Sequence, residues 1–425
     1  MTLPFSNSRL SDLSIHPDLL APDLLAAGPA NPAAAPAPPK PAPAAVRALL
    51  DRAAVFPGLA DRYAVLGNAG GLDITQVPPL TAAELRGAVW GGIRSGLLQD
   101  RGAVLYLGGG TAAEPSATVV PTGLFAEAIR QVWSPLERTD VLLNLARGTR
   151  LWPVHDLVEA LAEATGCSTI PYGRPEGGDL APWVDFFAQC GATALAADTS
   201  TLRELLQFCR QSGRSLGWAR TLVWVGAGLD RATAELIEQV LPEARVFGLY
   251  GSVESWVVGS SGPQCPRDVY HVLPHQYVEL LDGEILVTTL HESAISPLIR
   301  YRTGDLGEFT RCPCGDPRPA LRLLGRIDDV LSFRGARFGR AELADLARGV
   351  AEVDEADVTV LDGGLPTERL QLRIRAADGE IADRYLEEWV LEHLLTSHVT
   401  LSQVTAGVPD AVEVVAEGAD CWSAP

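Results

Sequence analysis

The sequence predicts an α/β protein: a large amino-terminal α/β domain with mixed sheets and a β-rich subdomain, then a small, mobile α+β lobe at the carboxy terminus. Three features of the pattern predict it. Between Val104 and Phe247 short β-like runs alternate with helical ones, after Tyr250 the pattern turns to hairpins, and beyond Asp328 a helix, two strands and a second helix follow one another. Alternation of the first kind means a parallel or mixed sheet covered by helices.

Taken in order, the β-like runs are AVLYL, VLLNLA, ATALAA, TLVWVG and ARVFGLY. Between them Trp183 to Cys190, Thr201 to Gln211 and Arg231 to Leu241 repeat apolar residues at three and four, the helical period. The segment YVELLDGEILVTTL carries two alternating runs around Asp282-Gly283, a dipeptide suited to a type I′ hairpin turn. In the last hundred or so residues, about one small lobe, helices are expected at Ala341 to Gly349 and Ile381 to Leu395, and strands at Ala356 to Leu361 and Leu370 to Arg375. Ahead of all this, Gly28 to Ala45 is rich in Pro and Ala with almost no large apolar residue, so it reads as an extended linker or surface wrap. The expected organisation is a segment over 1–45, a main domain over 46–327 and a lobe over 328–425.

Composition narrows the function. A net charge of −19 argues against a nucleic-acid partner, since affinity for a phosphate backbone comes mostly from cations. No apolar run nears the roughly 18 residues that span a bilayer, so no membrane partner is expected, and Met1 to Leu10 lacks the basic and apolar blocks of a secretory signal. A cytoplasmic chain is the expectation. Lys40 is its one lysine, and every other strong cation is arginine. Cys167, Cys190 and Cys209, in apolar surroundings, read as small buried hydrophobes.

Cys265, His271, Cys312 and Cys314 are different. They give C-x5-H and then C-x-C followed by the turn residue Gly315. Three thiolates and an imidazole form a closed tetrahedral set for a structural zinc ion; the other reading is four reduced residues around a hairpin.

The segment Tyr250-Gly-Ser-Val-Glu254 follows a strand. It resembles the aromatic-Gly-[Ser/Thr]-x-Glu motif of adenylate-forming enzymes. The resemblance implies that Tyr250 offers a flat face to an adenine, that Gly251 lets the backbone approach it with Ser252 beside it in the cofactor site, and that Glu254 offers a hard oxygen to the Mg²⁺ carried by ATP. Tyr301-Arg-Thr-Gly-Asp305 and Gly325-Arg-Ile-Asp328 follow in the same family's order. The resemblance implies that Asp305 and Arg326 hold the ribose hydroxyls and that Asp328 is the pivot of the small lobe. Gly226, Ala227 and Gly228, after a strand, would line the adenine and acyl pocket, and QVPPLTAAELR is similar to an early family segment. The Cys, His, Cys-x-Cys set matches the phenylacetate-coenzyme A ligase-like branch. Over residues 76 to 375 the resemblance therefore implies a ligase that activates a small, aromatic or amino-bearing carboxylic acid with ATP, releases or holds AMP, and passes the acyl group to coenzyme A, to the phosphopantetheine arm of a carrier protein, or to an amine.

Two departures stand out. In the phosphate loop Gly108-Gly-Gly-Thr-Ala-Ala-Glu-Pro-Ser116, Thr111 is kept as a phosphate contact, but Gly108, Gly109 and Ala112 replace expected hydroxyls. The family's carboxy-terminal lysine, whose charge stabilises the adenylation transition state, has no counterpart after Lys40. Arg334, Arg337 or Arg340 could supply a cation instead; otherwise the chain adenylates slowly, or binds AMP or an acyl-adenylate without forming it and serves as a scaffold or partner protein. Asn144, Trp152, His155, Trp224 and Trp256 are candidates for the acyl pocket, each with core packing or capping as the alternative.

Overall fold

The computed structural model describes residues 37–66, 71–99, 102–108, 116–148, 151–175, 180–226, 229, 231–327, 330–334, 336–362, 367–376, 384–405, 408 and 410–417. The chain forms two compact units, Met1–Thr303 with Glu308–Arg322, and Gly304–Gly307 with Leu323–Pro425. The second unit thus begins before residue 328, where the sequence places the boundary. It also takes in four residues of an earlier strand, because Ile327 N–H donates to the Gly304 carbonyl at 2.6 Å and ties the two segments together.

In the first unit helices α1 (Pro43–Ala53), α2 (Leu59–Ala64) and α3 (Ala82–Arg94) come first. The expected linker ends earlier than Ala45, since Pro43 opens α1, where a fixed φ and a missing N–H do no harm. Its residues 28–36 lie outside the described residues. Helix α3 starts on a capping box: Glu84 N–H donates to Thr81 Oγ1 at 3.3 Å, and the Glu84 carboxylate accepts from Thr81 N–H at 2.9 Å. Lys40 pairs with Asp73 at 2.9 Å, and that ammonium holds the Asp73 carboxyl down at about 2.

Strands β1 (Ala103–Leu107) and β2 (Ala117–Pro121) pair antiparallel in a small sheet that brackets the phosphate loop. Then come α4 (Ala126–Arg130), β3 (Val141–Asn144), α5 (Val154–Thr165), β4 (Ser168–Ile170), α6 (Ala181–Gln189), β5 (Ala194–Asp198), α7 (Thr199–Ser212), β6 (Thr221–Val225), α8 (Arg231–Val240) and β7 (Arg245–Ser252). Here β3, β4, β5, β6 and β7 run parallel, as the alternating pattern requires. Strands β8 (Trp256–Ser261), β9 (Val269–Val272), β10 (Gln276–Leu281), β11 (Glu284–Thr289), β12 (Tyr301–Thr310) and β13 (Ala320–Arg326) extend them into one mixed sheet, ordered β10-β11-β12-β13-β9-β8-β7-β6-β5-β3-β4 among the described residues. Asp282 and Gly283 both take positive φ, 54° and 87°, as a type I′ turn demands. The core against α4 and α5 gathers Leu142, Ile129, Leu157, Ala196 and Leu249, each large apolar side chain contributing about 1.5–3 kcal/mol on burial. Cys209 is buried as expected, but Cys190 is exposed, because it caps the carboxy end of α6.

The second unit adds β14 (Val330–Phe333), β15 (Ala336–Gly339), α9 (Arg340–Arg348), β16 (Val353–Leu361), β17 (Arg369–Ala376), α10 (Arg384–Ser397), α11 (Val399–Thr405) and β18 (Val412–Glu417). Residues 381–383, the expected start of the second helix, lie outside the described residues. Strand β17 alternates, with Leu370, Leu372 and Ile374 fully buried against Val390 and Leu394 of α10, and pairs antiparallel with β16 and parallel with β18.

Candidate nucleotide and metal sites

The Tyr250 motif sits where β7 turns into β8. Ser252 and Ser255 close that turn on each other: Ser255 N–H donates to Ser252 Oγ and Ser252 N–H to Ser255 Oγ, both at 3.1 Å. Gly251 is required, because a Cβ there would lie 1.9 Å from the Trp256 carbonyl oxygen. Val253 turns inward and packs on Gly108, whose own Cβ would come within 2.9 Å of it. The glycine that follows β1 is thereby seated on the turn that carries Glu254. Glu254, at the outer side of the turn and partly exposed, has no hydrogen bond or ion pair among the described residues, as suits a ligand for a hydrated cation.

Tyr250 is mostly buried and packs against Tyr270 with ring centroids 5.6 Å apart. Trp224 joins the same face of the sheet, 6.2 Å from Tyr270. Two glycines make room: a Cβ on Gly248 would meet the Trp224 ring at 2.4 Å, and one on Gly259 would meet Tyr270 at 3.0 Å. Trp224 is fully buried and lines a cavity of about 200 Å³ with Leu241, Val246 and Cys265. It is therefore packed within that face, at the edge of the cavity. Gly226, with φ of 107°, turns the chain out of β6, while Ala227 and Gly228 lie outside the described residues, as do Thr111 and Asp328.

Asn144 ends β3. Its side chain is wholly buried and its amide is engaged within the chain: Nδ2 donates to the His155 carbonyl at 3.1 Å and to Glu159 at 2.8 Å, and Oδ1 accepts from Ala146 N–H. His155 contacts the Ala146 carbonyl through Nδ1 at 3.1 Å, which is the capping alternative. Trp152 packs partly buried on the α5 core. Trp256 is buried, stacked on Tyr106 at 5.6 Å, and donates Nε1–H to the Leu124 carbonyl at 3.1 Å.

The second unit holds the other half of the motif set. Arg326 reaches Asp305 at 3.1 Å, with Asp305 the more buried partner. Gly304, at φ of 76°, leaves the space: a Cβ there would stand 2.8 Å from the Arg326 guanidinium.

In the first unit Cys265, His271, Cys312 and Cys314 converge, with all four ligand atoms within 4.8 Å of one another. His271 Nε2 lies 3.1 Å from Cys314 Sγ, and its other nitrogen faces the Arg318 carbonyl at 3.1 Å, which fixes the ring with Nε2 toward the sulfurs. Backbone N–H groups of Gly262 and Asp316 point at Cys265 and Cys314. Asp316, its carboxyl kept low by Arg318, buttresses the knuckle. Burial pushes the Cys265 thiol up to about 12 and raises Cys312 too, so these two sulfurs would need a nearby cation to persist as thiolates. The donor set fits zinc.

Gln276, Tyr270 and Ser255 organise the turn that carries Glu254, yet none carries a motif that sequence reasoning could have used. Gln276, at the start of β10, reaches the backbone of β8 with its side chain although the two strands are not paired.

No family profile matches the chain. It is 23% identical over 399 residues to phenylacetate-coenzyme A ligase of Thermus thermophilus, covering 87% of this chain and 85% of that one. Shorter matches are to phenylacetate-coenzyme A ligase of Escherichia coli, 36% over 92 residues, and to indoleacetate–lysine synthetase of Pseudomonas savastanoi, 26% over 107 residues. These two matches span only 21% and 27% of the relatives' lengths, and 20% and 25% of this chain. Among solved structures, 2-hydroxyisobutyryl-CoA ligase in an open conformation superimposes with a TM-score of 0.63 at 18% identity, covering 90% of this chain and 89% of that one. ATP-bound MatB from Rhodopseudomonas palustris does so with 0.56 at 19% identity, covering 74% and 63%. With these motifs in order and in place, the chain belongs to the adenylate-forming ligase superfamily.

Proposed function

We propose that the protein activates a small carboxylic acid, aromatic or amino-bearing, by joining it to AMP with cleavage of ATP, and then passes the acyl group to a thiol or an amine. The observation that carries this is the Arg326–Asp305 clasp over a glycine that must stay bare. A carboxylate with two acceptor oxygens suits two neighbouring ribose hydroxyls, and a guanidinium beside it holds its orientation and adds a donor. Tyr250 and Gly226 are assigned to the adenine, Glu254 to Mg²⁺ and Thr111 to a phosphate. Cys265, His271, Cys312 and Cys314 hold structural zinc, which would staple the β8–β9 loop to the β12–β13 loop. The named activities of the relatives, coupling acids to coenzyme A or to lysine, support both acceptor classes. A short match to a linear gramicidin synthase of Brevibacillus parabrevis keeps the carrier-protein arm among them.

A second reading has its own support. No lysine follows Lys40, and two of the arginines that could replace the family's lysine are engaged inside the lobe. Arg334 bonds Glu368 through its backbone N–H at 2.8 Å and its guanidinium at 3.4 Å, and Arg340 pairs with Asp357 at 3.4 Å. Arg337 has its side chain outside the described residues. On this reading the protein holds AMP or a ready-made acyl-adenylate. Exchange of labelled pyrophosphate into ATP, screened over arylacetic, benzoic and amino acids, separates the two. Exchange stimulated by at least one acid supports the ligase; AMP binding with no exchange for any acid supports the holder.

A further inference from the structure

The turn that presents Glu254 is strained on its far side. Trp256, the second residue after it, has φ of 56°, a left-handed conformation that bulky residues avoid. Such a backbone persists only where its surroundings over-determine it. Here the Trp256 ring is pinned by Tyr106 and the Leu124 carbonyl, and a second buried side chain holds the backbone on either side of it. Gln276 of β10 donates Nε2–H to the Val257 carbonyl at 3.0 Å and to the Ser255 carbonyl at 3.4 Å, on either side of Trp256. Its orientation is fixed from behind: Thr289 of β11 donates its hydroxyl to Gln276 Oε1 at 3.0 Å, so the amide nitrogen must face the turn. Gln276 is 4% exposed and Thr289 8%, so water cannot take over either bond cheaply.

We propose that Gln276, oriented by Thr289, is a positioning residue that holds the Ser252–Ser255 turn in the shape that aims Glu254 at the nucleotide's magnesium ion. The inference rests on the assignment of Glu254 as the Mg²⁺ ligand. Gln276 touches neither nucleotide nor metal in this scheme. It captures the carbonyls on both sides of the strained residue, and the strain is held two residues from the ligand. Without the clamp, Trp256 relaxes toward an ordinary φ, its carbonyl leaves Gly251, and Glu254 loses its aim while Tyr250 keeps its packing on Tyr270.

The test is calorimetric titration of ATP into full-length protein over a range of Mg²⁺ concentrations, with AMP binding in the absence of Mg²⁺ as the control. Gln276→Leu should raise the Mg²⁺ half-saturation about tenfold, the order of loss seen when a partner that orients a metal ligand is removed. Metal-free AMP affinity should stay within about twofold, since the nucleoside contacts lie elsewhere. Thr289→Val, which keeps the side-chain shape but takes the donor from Gln276 Oε1, should shift the same midpoint in the same direction by a smaller factor. An unchanged Mg²⁺ midpoint in either well-folded variant overturns the inference, as does an equal loss of metal-free AMP binding, which marks a plain folding defect. Glu254→Gln serves as reference. Should that variant keep the wild-type Mg²⁺ midpoint, the assignment of Glu254 is wrong and the role of Gln276 falls with it, a result distinct from the first two.

Discussion

The Arg326 guanidinium stands 3.1 Å from the Asp305 carboxylate and close enough to Gly304 that no side chain fits between them. On the proposed assignment these are the groups that take the ribose hydroxyls. Asp305→Ala should lower AMP affinity by about tenfold or more, the cost of losing hydrogen bonds to a charged group. Gly304→Ala should reproduce part of that loss by displacing Arg326. Equilibrium titration with a fluorescent AMP analogue reads both; unchanged affinity in Asp305→Ala removes the ribose assignment.

Purification without added metal should yield close to one zinc ion per chain by elemental analysis. Cys312→Ser should lose it, and cobalt exchange should bring a thiolate-to-metal absorption band. Less than about a tenth of an equivalent in the wild-type protein would show the four residues to be a reduced cluster.

Gly248→Ala places a methyl 2.4 Å from the Trp224 ring, in a face where Tyr250 and Tyr270 leave no slack. Overpacking of this kind costs about 2 kcal/mol. Urea denaturation should show that loss, and the double change Gly248→Ala with Trp224→Leu should recover part of it.

His275 gives a pH dependence with a definite sign. Burial, with a further push from His291, drives its imidazole from 6.5 down to about 3. It is neutral in the folded chain and protonates near its ordinary value when unfolded. Stability is therefore full above about pH 6.5 and falls as pH drops from there toward 3. Between about pH 7.5 and pH 5 the loss from this residue alone is about 2 kcal/mol. His275→Phe, stacked on Phe125 in the same way, should lose less stability over that interval by about this amount; parallel pH profiles for the two proteins would refute it.

The pattern along the chain announced β5, β6, β7 and the Asp282-Gly283 hairpin because each signal is local: period, branching and turn chemistry. It also singled out Tyr250, Asp305 and Arg326, and the set Cys265, His271, Cys312 and Cys314 that the fold gathers. What it hid was orientation. Asn144 and Trp224 sit near strand ends, as expected, but a strand's residues alternate between faces, and these two point into packing. Gln276 was invisible for the opposite reason. Its importance lies in the Ser255 and Val257 carbonyls that the folded chain brings to it, and nothing in its neighbours along the chain records that.

The lone lysine has a consequence for a protein of this class. A mixed anhydride of an acid and AMP acylates amines wherever it meets them, and a long-lived one damages the protein that shelters it. In this chain the electrophile would find one side-chain amine, and that amine is already committed to Asp73 in an ion pair. Arginine supplies cations without supplying nucleophiles. The composition that removes the usual catalytic cation also leaves the protein a single side-chain amine to modify.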